Sequence, residues 1–158
     1  MKGLIIKKIK SKYFTNMKDV FFAIGNVQKK YNWLITNYEC NIYPSKEIPF
    51  TQRYVWIDGK LLTDIVMKDD IQFIWGVFSA FKKNESKNTI LKYSLPFADG
   101  NKDLWSPDIH IQHPLAEIEI VSWDSSLLLL ISRNQKIINS FLKKYPDAID
   151  LERYNSMD

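Results

Sequence analysis

The sequence predicts an α+β domain, in which a single mostly antiparallel sheet carries its helices on one face. Apolar residues recur at helical spacing over 16–31 and over 133–145, so each segment predicts an amphipathic helix. Several segments of strand length lie between these helices, and Asp124 breaks the last of them into a hairpin. Strands and helices do not alternate regularly, as they would around a parallel sheet, and this order indicates the α+β class.

The first half of the chain is predicted to hold a short strand, a long helix, further strands and a short helix. Asn16 is placed to cap the helix over 16–31, and Gly25 weakens its middle. Prolines at 44 and 49 mark a loop, and Asp58 with Gly59 supplies a turn. The strands are predicted at 4–9, 33–36, 38–43 (as the hairpin partner of 33–36) and 53–58, and the short helix at 61–68.

The second half is predicted to hold the central strand, a long loop and the last helix. The strands are expected at 71–81, 89–95, 117–121 and 127–131. The segment 96–114 contains three prolines and reads as an irregular loop, a kind of segment that often carries function. Ser132 and Gln135 have the spacing of a capping box for the helix over 133–145. No linker divides residues 1–158, which we expect to form a single domain with a frayed tail at 150–158.

Composition and charge favour a cytoplasmic protein. Cys40 is the only cysteine, so no disulfide framework can form within the chain, and a lone thiol fits a reducing compartment. No apolar run approaches the roughly 20 residues that span a bilayer, and the N-terminal run 4–6 is too short for a secretory signal. The formal net charge is +4, but residues 1–30 hold eight lysines and one acidic residue.

The motifs that bind nucleotides and metals are absent from the sequence, which predicts no cofactor. Gly59 and Lys60 resemble the end of a phosphate loop, but Tyr54 replaces its first glycine and Leu61 its metal-binding hydroxyl. The two histidines, at 110 and 113, lie in a proline-flanked segment that opposes a helix, and on a strand their odd spacing would place them on opposite faces. We therefore expect no metal site.

Two functional alternatives rest on charged residues. Glu117 and Glu119 share one side of a predicted strand, and with Asp124 and a histidine they are candidates for a small hydrolase or transferase. The simpler interpretation of the two glutamates is a solvated sheet face, since no polar cleft that would separate their pKa values is visible in the sequence. The second alternative is a nucleic-acid binder that uses its N-terminal lysines, at 7, 8, 10 and 12.

The leading hypothesis is a non-enzymatic domain that binds a protein partner. Trp105 lies in the irregular loop, with Asp103 and Asp108 close to it in sequence. An exposed tryptophan among acidic residues is typical of a binding hot spot, although the same residue can also fold back and fix the loop to the core. The predicted partner surface therefore comprises Trp105, Asp103 and Asp108 together with the acidic face at Glu117 and Glu119.

The layout of the chain resembles small bacterial proteins that act as immunity factors against secreted polymorphic toxins. Three segments carry the resemblance, namely 32–35 (Asn-Trp-Leu-Ile), 78–81 (Phe-Ser-Ala-Phe) and 120–126. The resemblance implies an α+β domain whose partner is a toxin and whose action is inhibition by binding. It implies no particular catalytic residue.

Overall fold

A computed structural model describes residues 1–8, 14–43 and 53–157, which form one antiparallel sheet of seven strands with helices against it. The strands are β1 (Lys2–Ile6), β2 (Tyr31–Cys40), β3 (Tyr54–Asp58), β4 (Phe73–Lys82), β5 (Ile118–Trp123), β6 (Leu127–Ser132) and β7 (Ile149–Asp150). The helices are α1 (Met17–Ala23), α2 (Gly59–Lys68), α3 (Lys87–Ile90), α4 (Gln135–Lys144) and α5 (Leu151–Asn155), with short 3-10 helices at Val27–Lys30 and Lys102–Trp105. The strand order is β3-β2-β4-β5-β6-β1-β7, and the predicted fold class is confirmed.

One face of the sheet, the helical face, is covered by α1, α2 and α4, as the sequence predicts. Their fully or nearly fully buried side chains include Val20, Phe21, Leu62, Ile65, Ile138 and Phe141. Trp33 of β2 lies beneath them, and its ring centroid is 5.8 Å from that of Phe21. Each such side chain contributes roughly 2 kcal/mol on burial. The helical face holds more of the buried core residues than the opposite face does, so this layer is the larger part of the core.

The first helix is shorter than the predicted span of 16–31. It begins as expected, with the Asn16 side chain accepting a hydrogen bond from the backbone N–H of Lys18 at 3.2 Å. It ends at Ala23 because Gly25 and Asn26 adopt left-handed backbone conformations, with φ of 75° and 56°. The 3-10 helix that follows continues the apolar stripe, so the periodicity in the sequence runs across the break.

The turn predicted at Asp58 and Gly59 is instead the start of α2. The Asp58 side chain caps the helix and accepts a hydrogen bond from the backbone N–H of Lys60 at 2.7 Å. Gly59 is needed because a Cβ at this position would lie 1.9 Å from the backbone oxygen of Gln28. The same oxygen accepts a hydrogen bond of 3.0 Å from the indole N–H of Trp33. The glycine therefore permits a close approach between two backbone segments.

The opposite face of the sheet, here called the loop face, is also covered. The buried strand residues on this face include Leu34, Val77, Phe81, Val121, Leu129 and Ile131. They pack against α3, the loop 96–114 and α5, which contribute Ile90, Ala98, Leu104, Ile111 and Leu151. The sheet is therefore buried on both faces, and the irregular loop forms much of one layer.

Two of the predicted strands differ in the structure. The strand predicted at 89–95 is wrong, because this segment contains the end of α3, whose N-cap Ser86 accepts a hydrogen bond from Thr89 N–H at 3.1 Å. The hairpin predicted for 33–36 and 38–43 is also wrong, because β2 runs through both segments and pairs with β3 and β4. The loop predicted between the prolines at 44 and 49 lies outside the described residues.

The C-terminal segment packs against the loop face, to which Leu151 and Tyr154 contribute. The cap of α4 is Asn134 and not the predicted Ser132, whose hydroxyl instead accepts a hydrogen bond from Asn134 N–H. Within the tail for which fraying is predicted, Leu151–Asn155 form α5, in which Leu151 is fully buried. The side-chain amide of Asn155 donates to a backbone oxygen of the loop, that of Leu104, at 3.0 Å.

Candidate functional site

Glu119 is the buried polar centre of the loop face. It lies on β5 two residues before the buried Val121, so both side chains point to the same side of the sheet, and Glu119 has no exposed surface. One carboxylate oxygen accepts a hydrogen bond from the backbone N–H of Gln112 at 3.0 Å, and the other accepts from the Gln112 side-chain amide at 3.1 Å. The predicted solvated face is therefore wrong for Glu119, because the loop 96–114 folds over it.

Gln112 connects Glu119 to the other end of the loop. Its side-chain oxygen accepts hydrogen bonds from the backbone N–H of Phe97 at 2.9 Å and from the side-chain amide of Asn101 at 3.0 Å. Asn101 also donates to the backbone oxygen of Phe97 at 3.0 Å. The chain Glu119–Gln112–Asn101 thus fixes the backbone around Phe97 to the sheet.

Asn37 provides a second attachment for the same loop. The β2 register shifts between Thr36 and Glu39, and at this irregularity Asn37 has a left-handed φ of 48°. Its side-chain oxygen accepts hydrogen bonds from the backbone N–H groups of Ala98 and Asp99, at 2.8 and 2.9 Å. The loop residues next to Phe97 are therefore fixed from two strands, β2 and β5.

Burial raises the pKa of Glu119 to about 7, because the charged carboxylate is removed from water. The hydrogen bonds from Gln112 and the electrostatic influence of His110 lower the pKa of Glu119 but do not compensate for the burial. The hydroxyl of Ser79, which is paired with Glu119 in the β4–β5 register, is buried and has no hydrogen-bond partner in the described chain. Glu119 therefore titrates close to neutral pH in the folded protein.

The groups proposed for a hydrolase do not come together. Asp124 lies in the β5–β6 turn, five residues from Glu119 along an extended strand, which corresponds to about 16 Å. The side chain of Glu117 is half-buried and lies 3.5 Å from the ammonium of Lys82. Asp124 therefore lies too far from Glu119 to share a substrate position with it, and Glu117 is paired with a lysine.

Neither His113 nor Cys40 has the environment of a reacting group. The Nε2–H of His113 donates to the backbone oxygen of Ile90 at 3.1 Å, and its Nδ1 accepts from the backbone N–H of Leu115 at 3.2 Å. Burial lowers the pKa of His113, so this histidine is held neutral between two backbone groups. Burial likewise raises the pKa of the Cys40 thiol to about 12, which keeps it in the unreactive protonated form.

Trp105 lies at the end of its 3-10 helix and packs back onto the core. Its ring makes an edge contact with Trp123 at a centroid distance of 4.8 Å and a second with Tyr154 at 6.4 Å. Trp123 in turn contacts Trp75 at 5.0 Å. Trp105 is half-buried in this aromatic cluster, so the geometry favours its role in fixing the loop over a free-standing contact residue.

The most exposed large apolar side chain in the loop 96–114 is Phe97, of which 48% is exposed. It lies between two clefts that share residues 95–97 as a common wall. The Asp103 cleft, of about 170 Å³, is completed by Ser94, Asn101, Asp103, His110 and Gln112. The Arg53 cleft, of about 360 Å³, is completed by Thr36, Asn37 and Arg53. Residues 94–97 therefore form a ridge with an acidic residue on one side and a cation on the other.

Of the predicted partner residues, Asp103 and Asp108 are exposed, and Asp103 belongs to its cleft. Sequence reasoning missed Phe97, Gln112, Asn37 and Arg53, because they come together only through long-range contacts. The sequence does contain one signal for the burial of Glu119. Val121 lies two residues further along the strand and therefore on the same side of the sheet, and its apolar side chain indicates that this side is covered.

The lysines at 10 and 12 of the nucleic-acid alternative lie outside the described residues, whereas Lys7 and Lys8 are exposed. The ammonium of Lys7 lies 4.9 Å from the ring centroid of Tyr154. No group of three metal-ligating side chains is found within 1–8, 14–43 and 53–157.

The fold and the site together define an α+β domain whose irregular loop is fixed to a two-sided sheet and presents an exposed aromatic ridge. Comparisons with protein-family models, with curated proteins and with solved structures found no match. In the part of the chain that the structure describes, no helix is long and apolar enough to cross a membrane.

Proposed function

We propose that this chain is a non-enzymatic protein-binding domain and that the ridge 94–97 with the Asp103 cleft is its contact surface. The observation that carries the proposal is the exposure of Phe97 on a backbone held by Glu119, Gln112 and Asn37. Aromatic residues at the centre of a patch supply much of the binding energy in protein interfaces. Tyr93, 43% exposed, extends the apolar surface beyond the ridge.

The fixed backbone favours binding because little order has to be gained when a partner docks. Ordering a loop and its side chains at an interface opposes association, and a preformed surface avoids much of this penalty. The side-chain oxygens of Gln112 and Asn37 accept hydrogen bonds from the backbone N–H groups of Phe97, Ala98 and Asp99, and they hold these groups in place before any partner arrives.

The charge of the loop indicates the chemistry of the partner. The segment 96–114 contains three acidic residues, Asp99, Asp103 and Asp108, and one lysine, although the whole chain has a formal charge of +4. All three aspartates are exposed. A complementary partner would present basic side chains around an apolar contact for Phe97.

Within this class we propose the more specific role of a cytoplasmic immunity protein that inhibits a bacterial toxin. The resemblance in layout supports it, and the local acidic patch suits a toxin whose active surface is basic, such as a nuclease that binds phosphates. Inhibition would follow from occlusion of that surface and needs no catalytic group in this chain.

The experiment is affinity capture from the source organism with three immobilised variants beside the wild type. Phe97→Ala removes the ridge contact, and Asp103→Lys reverses the charge of its cleft. Phe22→Ala is the matched control, since Phe22 is 63% exposed on α1 of the opposite, helical face. Captured proteins are quantified by mass spectrometry.

The proposal predicts that at least one protein is captured by both the wild type and Phe22→Ala. The amount of that protein captured by Phe97→Ala and by Asp103→Lys is expected to be strongly reduced. The same set of captured proteins with all four baits contradicts it. The toxin assignment adds a second requirement: expression of the captured protein alone arrests growth, and coexpression of the wild type but not of Phe97→Ala restores it. A captured partner that is harmless when expressed retains the binding proposal and rejects the toxin.

A further inference from the structure

The Arg53 cleft has a different chemistry from the Asp103 cleft. Its apolar wall is formed by Leu95, Pro96 and Phe97, and its polar wall by Thr36, Asn37 and Arg53. No acidic residue of the described chain lines it. A volume of about 360 Å³ lies within the range of sites that hold small ligands or single side chains.

The polar wall consists mainly of hydrogen-bond donors. Arg53 is exposed and makes no ion pair with any residue in the described ranges, and its guanidinium is always charged. The Asn37 side-chain oxygen is already occupied by two backbone N–H groups, so its remaining polar group is the NH₂ donor. Neither residue offers a free acceptor to a ligand.

Thr36 supplies the second observation that points to a ligand. It is 1% exposed, and its hydroxyl has no hydrogen-bond partner among the residues that the structure describes. Buried hydroxyls are normally paired, and one left unpaired beside a cleft indicates a missing partner. The register of β2 shifts between Thr36 and Glu39, directly beside the cleft. Such irregularities are common in strands next to binding sites, where they redirect side chains.

We propose that the Arg53 cleft binds a carboxylate group that is attached to an apolar group. The carboxylate would accept hydrogen bonds from Arg53, in the bidentate geometry that guanidinium favours, and from Asn37 or Thr36. The apolar group would pack on the wall formed by Leu95, Pro96 and Phe97. A free organic acid and the C-terminal residue of a peptide share this chemistry.

This inference goes beyond the proposed protein partner and does not require it. The Asp103 cleft would receive basic groups of a partner, whereas the Arg53 cleft selects an acid on the other side of the ridge. The two claims therefore fail separately, because Asp103→Lys tests the first and Arg53→Gln tests the second.

The test is a titration of the isotopically labelled full chain, followed by NMR, with three probes. N-acetyl-leucine carries the carboxylate and an apolar group, N-acetyl-leucinamide lacks the charge, and a tetrapeptide with a C-terminal leucine represents a chain end. Arg53→Gln removes the cation and Thr36→Val the hydroxyl. Arg153→Gln, at an exposed arginine on α5, is the matched control.

We expect N-acetyl-leucine to shift the amide signals of Asn37, Phe97 and Ala98 in a saturable manner, with binding at least about tenfold weaker for the amide probe and for Arg53→Gln. Thr36→Val is expected to weaken binding and Arg153→Gln to leave it unchanged. Tighter binding of the tetrapeptide identifies a chain end as the source of the acid, and equal binding identifies a free acid. The proposal is overturned if the wild type binds the acid and the amide with equal affinity or shows no saturable shift. It is also overturned if Arg53→Gln, with a native spectrum, binds N-acetyl-leucine as tightly as the wild type does.

Discussion

The carboxylate of Glu119 accepts two hydrogen bonds from Gln112, one from the backbone N–H at 3.0 Å and one from the side-chain amide at 3.1 Å. A buried carboxylate is unfavourable unless it is paired or hydrogen-bonded, and the two hydrogen bonds from Gln112 meet this requirement for Glu119. We infer that the role of Glu119 is to attach the loop to the sheet. It holds the segment that exposes Phe97 between two clefts.

The first prediction concerns the pH dependence of stability. Glu119 has a pKa of about 7 in the folded protein against 4.5 as the ordinary value, so the folded state binds the proton more tightly. The protonation of Glu119 therefore stabilises the folded protein fully below pH 4.5, and this stabilisation is lost as the pH rises to about 7. The total loss in the free energy of unfolding is roughly 3 kcal/mol.

Urea unfolding at a series of pH values measures this contribution, and Glu119→Gln is the comparison because it cannot ionise. We expect the stability of the wild type relative to Glu119→Gln to fall across that window. Parallel pH profiles for the two proteins would show that Glu119 ionises in the folded state as it does in the unfolded chain.

The second prediction concerns the attachment of the loop through Gln112. Gln112→Ala removes the acceptor of the Phe97 N–H but leaves the acceptor of the Ala98 N–H, which is Asn37. Amide hydrogen exchange at Phe97 is expected to become roughly tenfold faster, because its N–H loses the hydrogen bond that protects it, with a smaller change at Ala98. Unchanged exchange at Phe97 would mean that Gln112 does not hold the ridge.

The third prediction concerns the close approach at Gly59. A Cβ at Gly59 would lie 1.9 Å from the Gln28 backbone oxygen, and backbone atoms cannot move aside cheaply. Gly59→Ala is expected to reduce the free energy of unfolding by about 3 kcal/mol. Gly100→Ala is the control, because nothing lies within 4 Å of its Cβ and only its left-handed φ of 75° opposes the change. We expect about 1 kcal/mol there, and equal losses would contradict the packing explanation.

The fourth prediction concerns the cap of α2. Asp58→Ala removes the acceptor of the Lys60 N–H and should cost about 1 kcal/mol in thermal or urea unfolding. Asp58→Asn retains an acceptor for the cap and loses only the exposed ion pair with Lys83, so it should remain within about 0.5 kcal/mol of the wild type. If Asn were as destabilising as Ala, the charge of Asp58 and not its cap would stabilise the helix.

Much of the fold could be predicted from the sequence, because the local residue pattern indicates several of the helices and strands. The apolar stripe of α4, the hairpin of β5 and β6 and the short helix α2 follow from spacing within a few residues. The segment 89–95 was predicted wrongly because a short apolar run does not distinguish a strand from a one-turn helix. The end of α1 was missed because the stripe continues across Gly25 into the 3-10 helix.

The site was harder to predict, because its parts are far apart in the chain. Asn37 reaches Ala98 across 61 positions of sequence, and no local pattern reports such a contact. Glu119 alternates with Ile118 and Ile120 in the manner of a half-exposed strand, although the loop face is covered by a segment without regular structure. Phe97 lies beside a proline in an irregular segment. Such a segment has no helical or strand periodicity from which the exposure of a side chain could be predicted.

The central claim is that Phe97 and the ridge around it form the surface that binds a protein partner. Isothermal titration calorimetry of the captured partner against the wild type, Phe97→Ala and Phe22→Ala tests it most directly, since both changes remove an exposed phenylalanine. The account predicts at least about a tenfold loss of affinity for Phe97→Ala and little change for Phe22→Ala. Unaltered affinity for Phe97→Ala, or a loss confined to Phe22→Ala, would contradict it and place the interface on the helical face.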